Sequence, residues 1–273
     1  MFETTIKNPV SITGISLRDG DLCTVKLSPS DNLTGIRFFT INSGKAETIN
    51  CNPLSVIDTM CSTNIGIVDI SISTIEHLMS VLHVCNIHNV DITVSGSGIP
   101  ILDGSSKSLF YLIKSAGIKY FEKKCKYILI DKELSIKSDC ASIKAFPYDG
   151  FKVLMSIKFN HPLIGEQSFL YDHKINYLEE IAPARTFARL DDIKKLQQLG
   201  VINGGSEDNA IILDDNKVIN TELYWCDEFV RHKVLDFLGD IYMLGPIKGY
   251  FKCCCTGHDT NIKMLNIIMD NIK

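Results

Sequence analysis

One order of elements occurs twice along this chain, and that duplication restricts the fold more than any other feature. In each half a histidine lies near the start of a helical stretch, and a strand follows: His77 before Asp91 to Val94, and His232 before Tyr250 to Thr256. Ile75, Leu78, Met79 and Leu82 have the spacing of one helix face, predicting a helix over residues 73–83. Residues 89–94 alternate like a half-buried strand. A second helix is predicted over 108–116, with Gly117 as its C-cap. The chain begins with a hairpin, Val10 to Leu17 and Leu22 to Leu27, turning at Asp19-Gly20. The second half predicts strands over 127–130, 135–146 and 151–158, and helices over 191–199, 227–244 and 264–272. The expected fold is α+β: two related layers face each other, with a cleft at their interface. The lysine-rich segment Glu122 to Lys126 marks the seam, giving an N-terminal domain 1–124 and a C-terminal domain 125–273.

Composition narrows the class. The 273 residues are 45% hydrophobic and 22% charged, ordinary values for a globular protein with a substantial core. A net charge of −4 gives no basic footprint for nucleic acid. The N-terminus has no secretory pattern, and no apolar run is long enough to span a bilayer. A cytoplasmic protein is expected, one that can touch a membrane surface. The ten cysteines contain no CxxC pair, and Cys253-Cys254-Cys255 falls in a predicted strand. They are expected to be reduced and mostly structural.

The chemistry concentrates on a few helix faces. His232 and Asp236 are i and i+4, so they project to one side about one turn apart. Asp240 extends that row by another turn. An imidazole with a carboxylate is half of a zinc or iron site, while the blander reading is a solvated helix face. Glu76 and His77 are adjacent, and Thr74 is placed to cap their helix. Adjacent residues point about 100° apart, so one can bind a metal while the other faces bound water as a base. The alternative is a carboxylate favoured by the helix dipole beside a surface histidine. His77, His232 and Asp236 together would make three ligands with an open fourth position, the arrangement of a catalytic zinc. His258 follows a predicted strand directly and is expected at a strand end beside a turn. Residues 165–188 are the least regular stretch. Within them Pro183 holds a loop bearing Thr186 and Phe187, a candidate substrate contact or an ordinary strand start. Residues 204–210 are glycine-rich but lack the ending of a phosphate loop.

Taken in order, Thr74-Ile75-Glu76-His77-Leu78, residues 99–105 (IPILDGS), Ala184-Arg185-Thr186-Phe187, residues 232–240 (HKVLDFLGD) and Gly257-His258 closely resemble the UDP-3-O-acyl-N-acetylglucosamine deacetylase family, zinc hydrolases of lipid A synthesis. Each motif alone is weak; five at compatible spacings are specific. The resemblance runs from about Thr5 to the C-terminus. It implies two β-α-α-β sandwich domains packed face to face with the active site between them. Each domain would carry a small insert, the second near 188–220.

The resemblance also implies roles. His77, His232 and Asp236 correspond to the zinc ligands, with Fe2+ as an alternative metal. Glu76 corresponds to the general base, His258 to the general acid, and Asp240 to the group that orients His258. Thr186 and Lys233 match residues that contact the developing oxyanion or the sugar-phosphate. Phe187 and the segment 191–219 match the acyl-chain passage, and Phe159 is a weaker match to a nucleotide-stacking aromatic. Leu190, Ile193, Leu196, Ile202 and residues 211–213 would line the passage or form the core of the insert. The implied reaction removes acetate from UDP-3-O-acyl-N-acetylglucosamine with water, in a cytoplasmic monomer that transiently meets the inner-membrane surface. A zinc amidohydrolase acting on another acylated sugar would carry the same motifs. A non-catalytic nucleotide-sugar or lipid-binding module would have no reason to keep ligands, base and acid together. The chain departs from the family pattern at Arg18, where a histidine is usual, and at Ala188-Arg189 after Phe187.

Overall fold

The computed structural model describes residues 1–42, 45–67 and 69–272. Each half builds one main sheet, and the two sheets share a strand order. In the first, Val10–Ile15 pairs with Leu22–Pro29, followed across the sheet by Val90–Ser95, Ile36–Asn42 and Lys45–Asn50. In the second the order is Leu134–Lys137, Ser142–Phe146, Ile247–Cys254, Phe151–Lys158 and Glu166–Asp172. In both, the last strand of the sheet in sequence enters between two hairpins, antiparallel to one neighbour and parallel to the other. Alternation along these strands sends Val25, Leu27, Phe38 and Ile92 inward from the first sheet, and Ile143, Val153, Met155 and Phe251 from the second. Cys253 is buried and its neighbour Cys254 exposed, as strand alternation requires, and all ten cysteines are free thiols.

Among the described residues six α-helices accompany the sheets: α1 (Glu76–Val84), α2 (Lys107–Ala116), α3 (Tyr177–Glu180), α4 (Leu190–Gln198), α5 (Glu228–Ile241) and α6 (His258–Asn271). α1 and α2 flank the last strand of the first sheet in sequence; α5 and α6 flank the corresponding strand of the second. α2 packs on the first sheet, α5 and α6 on the second, and α1 against α5. Their apolar faces share one core with both sheets. The protein is therefore α+β, with the two related halves joined through α1 and α5. Among the described residues no helix is long and apolar enough to cross a membrane.

The α1–α5 contact is close because of one residue. A Cβ added at Gly239 would lie 2.0 Å from the main-chain oxygen of Glu76. That atom is backbone and cannot swing aside. Gly239→Ala is expected to push the helices apart, at a cost near the upper end of the roughly 1–3 kcal/mol typical of overpacking. The midpoint of urea unfolding measures it; an unchanged midpoint means that the helices slide freely here.

Each half carries an insert before its first long helix. In the first half it is a three-stranded sheet, Val56–Asp58, Asn64–Ile67 and Ile70–Ile72. In the second it is a parallel pair, Phe187–Arg189 with Ile211–Leu213, enclosing α4. The amides of Asn203 and Gly204 donate to the carbonyls of Arg18 and Leu17, docking the glycine-rich loop on the first hairpin turn.

Several expected elements shift. The predicted strand over 135–146 is a hairpin, because Ser138 and Ala141 close a turn with the main-chain amide of Ser138 donating to Ala141 at 2.8 Å. The last helix begins at His258, not Met264, so His258 opens a helix and does not sit on a strand end. Glu166–Asp172 is a strand inside the stretch read as irregular. Lys123 and Lys124 of the seam belong to strand Ile118–Lys124, which pairs antiparallel with Phe2–Ile6. Thr74 caps nothing. It has φ +61°, a strained value for a β-branched residue, and its buried hydroxyl has no hydrogen-bond partner. Its amide instead donates to Asn64 Oδ1 at 3.2 Å.

Candidate active site

His77 on α1 and His232 and Asp236 on α5 are all buried, and one potential ligand atom of each lies within 4.8 Å of the others. Asp236 Oδ1 is 3.3 Å from His232 Nε2 and 3.9 Å from His77 Nε2. His232 Nδ1 donates to the carbonyl of Ala184 at 3.0 Å, which fixes the tautomer and leaves the Nε2 lone pair facing the cluster. Burial pushes His77 down to about 3 and lowers His232 too, so both rings are neutral at pH 7. Burial opposes the ionised form of Asp236, yet His232 and Lys233 hold its pKa well below the usual carboxylate range. Two neutral imidazoles and one carboxylate suit a zinc ion with an open fourth position. The other oxygen of Asp236 accepts from Lys233 Nζ at 2.6 Å. Lys233 thus lies along the cavity wall with its ammonium on Asp236.

A carboxylate–imidazole pair stands beside this cluster. Glu76 Oε1 lies 3.9 Å from His258 Nε2. Glu76 is 2% exposed, and burial pushes its pKa up to about 7. Burial and the N-terminal end of α6 both disfavour a charged His258. The carboxylates of Asp240 and Glu76 outweigh burial and hold its pKa at about 9. The ring is therefore an imidazolium at neutral pH, donating from Nδ1 to Asp240 Oδ2 at 2.9 Å. Asp240 is fully buried and also accepts from Thr63 Oγ1 at 2.6 Å and Asn261 Nδ2 at 2.8 Å.

Both groups open into a cavity of about 700 Å³. Glu76, His77, His232, Asp236 and His258 line its polar end. Leu190, Ile193, Leu196, Ile202, Ile212 and Leu213 line the apolar extension. Of the expected passage residues only Ile211 is pure core, fully buried and away from the cavity wall. Phe187 forms an aromatic row with Phe159 on one side and Phe229 on the other, at centroid distances of 5.6 and 5.0 Å. Arg189 also lines the cavity and pairs with Asp215 at 2.9 Å, so this departure from the family pattern places a cation at the cavity wall. The other departure, Arg18, pairs with Asp58 at 3.3 Å.

Two sequence motifs act by holding others. Thr186 lines the cavity because its amide donates to Gly104 and its carbonyl accepts from Ile211. Gly104 has φ +81°, and a Cβ there would meet the Asn209 carbonyl at 2.2 Å, so the turn over 103–105 accepts only glycine at its centre. Arg185 grips Glu228, which is fully buried, and also reaches Thr221 and the Glu222 carbonyl. This clamp ties the start of α5 to the strand bearing Phe187.

The structure thus gathers Glu76, His77, His232, Lys233, Asp236 and His258 around one cavity, with Asp240 behind His258 and Thr186, Phe187 and Phe159 along the walls. Sequence reasoning missed Thr63, Asn261 and Glu228. Asn261 lies one turn after His258 on α6, a spacing that points to the same partner once the helix start is placed correctly. Nothing in the sequence around Thr63 marks it.

The chain matches the sequence profile of the family described as UDP-3-O-acyl N-acetylglycosamine deacetylase over residues 3–270. It is 40% identical over 272 residues to a UDP-3-O-acyl-N-acetylglucosamine deacetylase of Lawsonia intracellularis, covering 99% of this chain and 90% of that protein. A protein of the same name from Nitratidesulfovibrio vulgaris is 39% identical, covering 99% and 89%. One from Nautilia profundicola is 41% identical over 263 residues, covering 96% and 89%. With a profile match over nearly its whole length and relatives at this identity, the chain belongs to the UDP-3-O-acyl N-acetylglycosamine deacetylase family.

Proposed function

We infer that this protein hydrolyses the N-acetyl amide of UDP-3-O-acyl-N-acetylglucosamine, releasing acetate and the free amine, a step of lipid A synthesis. The observation that carries this reading is the meeting of a three-ligand cluster and a carboxylate–imidazolium pair at the head of one apolar cavity. Deacetylation needs the first two; an acylated substrate needs the third. Amides resist water because nitrogen donates into the carbonyl and leaves poorly as an anion. His77, His232 and Asp236 would hold a divalent ion, which we assign as zinc. When bound, such an ion supplies positive charge for the carbonyl oxygen and lowers the pKa of a coordinated water to roughly 7.

The remaining work falls to side chains. Glu76 accepts the proton of the attacking water at a carboxylate oxygen. His258 carries its proton at Nε2, 3.9 Å from Glu76 Oε1, and passes it to the amide nitrogen as the C–N bond breaks. Asp240 orients that ring and favours its charged state. Thr186 donates a hydrogen bond to the developing oxyanion, and Lys233, whose ammonium rests on Asp236, adds positive charge beside the cluster for the oxyanion or the sugar-phosphate. Phe187 and the apolar wall formed by α4 hold the acyl chain, while Phe159, 40% exposed on the cavity wall, stacks on the nucleotide base. A cytoplasmic monomer meeting the inner-membrane surface to collect its acylated substrate fits this division between polar head and apolar cavity.

Acetate release from UDP-3-O-acyl-N-acetylglucosamine, measured with and without a chelator across a series of acyl lengths, tests this reading. Turnover that needs metal and falls as the acyl chain is shortened supports it; release of acetate from acyl-free UDP-N-acetylglucosamine at the same rate points to a different sugar substrate. The pH profile follows from the proton inventory. His258 must be charged, so kcat/KM should fall above about pH 9 as the ring loses its proton. His258→Gln should abolish that alkaline limb along with most activity; a limb that persists assigns it to another group.

A further inference from the structure

Thr63 makes three contacts that no other residue of the site combines. It is fully buried and sits immediately before strand Asn64–Ile67 of the first insert. Its amide donates to Glu76 Oε2 at 3.0 Å. Its hydroxyl donates to Asp240 Oδ1 at 2.6 Å and lies 3.1 Å from His258 Nδ1. Its carbonyl accepts from the Ile75 amide at 3.2 Å, at the foot of α1. We propose that Thr63 is a positioning residue that holds the base and the acid of the deacetylation in register, one from each half of the molecule. This rests on the proton-transfer roles assigned above.

Glu76 is on α1, Asp240 on α5 and His258 on α6, and among the described residues Thr63 alone hydrogen-bonds both Glu76 and Asp240. Proton transfer is sensitive to small displacements of the transferring groups. The Thr63 amide occupies one Glu76 oxygen, leaving Oε1 turned to His258 and the cavity. The Thr63 hydroxyl occupies one Asp240 oxygen, leaving Oδ2 for the His258 ring and the Asn261 amide. Each carboxylate is thereby left one rotational setting, and the two settings are locked to the same residue. The neighbouring strain fits this role. Thr74 is held in its left-handed conformation by Asn64, next to Thr63, so the insert fixes the first turn of α1 through two consecutive residues.

Thr63→Val keeps the shape and the amide but removes the hydroxyl. It is expected to lower kcat by about 10–100-fold, the range seen when a group supporting a site residue is removed. KM and bound metal should stay at their wild-type values. Thr63→Ser should restore most of the rate. In a His258→Gln background, Thr63→Val should cost little more, because both changes interrupt one unit. The Nδ1–H resonance of His258, read by NMR on histidine-labelled protein, should move in Thr63→Val and return in Thr63→Ser. Wild-type kcat in Thr63→Val, a Ser variant as impaired as the Val variant, or full additivity with His258→Gln would each overturn the proposal. If wild-type protein releases no acetate, the deacetylase reading fails by itself. The His258 resonance then still decides whether Thr63 sets that ring, and an unmoved resonance in Thr63→Val rejects it.

Discussion

Glu76→Gln is expected to lower kcat by about 10²–10⁴-fold, the usual contribution of a positioned general base, while leaving metal content and fold intact. The amide keeps the size of the carboxylate and can still accept from the Thr63 amide, so α1 has no reason to move. It cannot take a proton from water. Glu76 is beside a ligand in sequence but is not part of the cluster formed by His77, His232 and Asp236, so bound zinc per chain should stay near one. Metal analysis and steady-state kinetics on the same preparation separate the two roles. A variant that loses its metal makes Glu76 a ligand; a variant with full activity removes it from the chemistry. The acidic limb of the profile should weaken in this variant, because in the proposed reaction the Glu76 carboxyl, raised by burial to about 7 before any ion is bound, is the group that must be ionised for attack.

What the sequence reveals of this site follows from where each residue sits. His77, His232 and Asp236 are legible because they lie on helices, where a fixed period turns spacing into direction. Glu76 is legible through its neighbour. His258 was expected on a strand end because helical periodicity is read from apolar residues, and the first turn of α6 is polar. His258, Asp259, Thr260 and Asn261 hide the helix start, while His258 and Asn261 are buried against a carboxylate and not against hydrocarbon. The same cause hid Glu228, which reads as a solvated helix-terminal acid and is in fact fully buried on Arg185. Thr63 depends on a contact across 177 residues, and no local pattern reports that. In the fold, the duplicated helix–strand order was visible, and the matching strand order of the two sheets follows from it. The hairpin within 134–146 was not read, although the apolar phase moves from even positions at Leu134 and Ile136 to odd ones at Ile143 and Ala145 across Ser138 to Ala141. The edge strand Glu166–Asp172 was missed because, apart from Tyr171, its residues are only half-buried or exposed.

Asp236→Ala should have the largest effect on the metal. It removes the one charged member of the proposed ligand set, leaving two neutral imidazoles, too few for a tight divalent site. It also removes the partner of Lys233, whose ammonium rests on Asp236 Oδ2 and would then face the cluster as an unpaired cation. The two losses act in the same direction, since a positive charge beside His77 and His232 repels a divalent ion. Zinc affinity should therefore fall by more than the about 10–100-fold that follows loss of a group merely supporting a ligand. Activity should vanish at ordinary zinc concentrations and recover partly in excess. The control is Asp236→Ala combined with Lys233→Ala. If repulsion by the ammonium contributes, the double variant binds zinc more tightly than Asp236→Ala alone. If the two bind alike, the loss is that of a ligand only. Zinc retained at one per chain by Asp236→Ala, measured after dialysis against chelator, would take Asp236 out of the metal site and leave its buried charge to be explained by His232 and Lys233 alone.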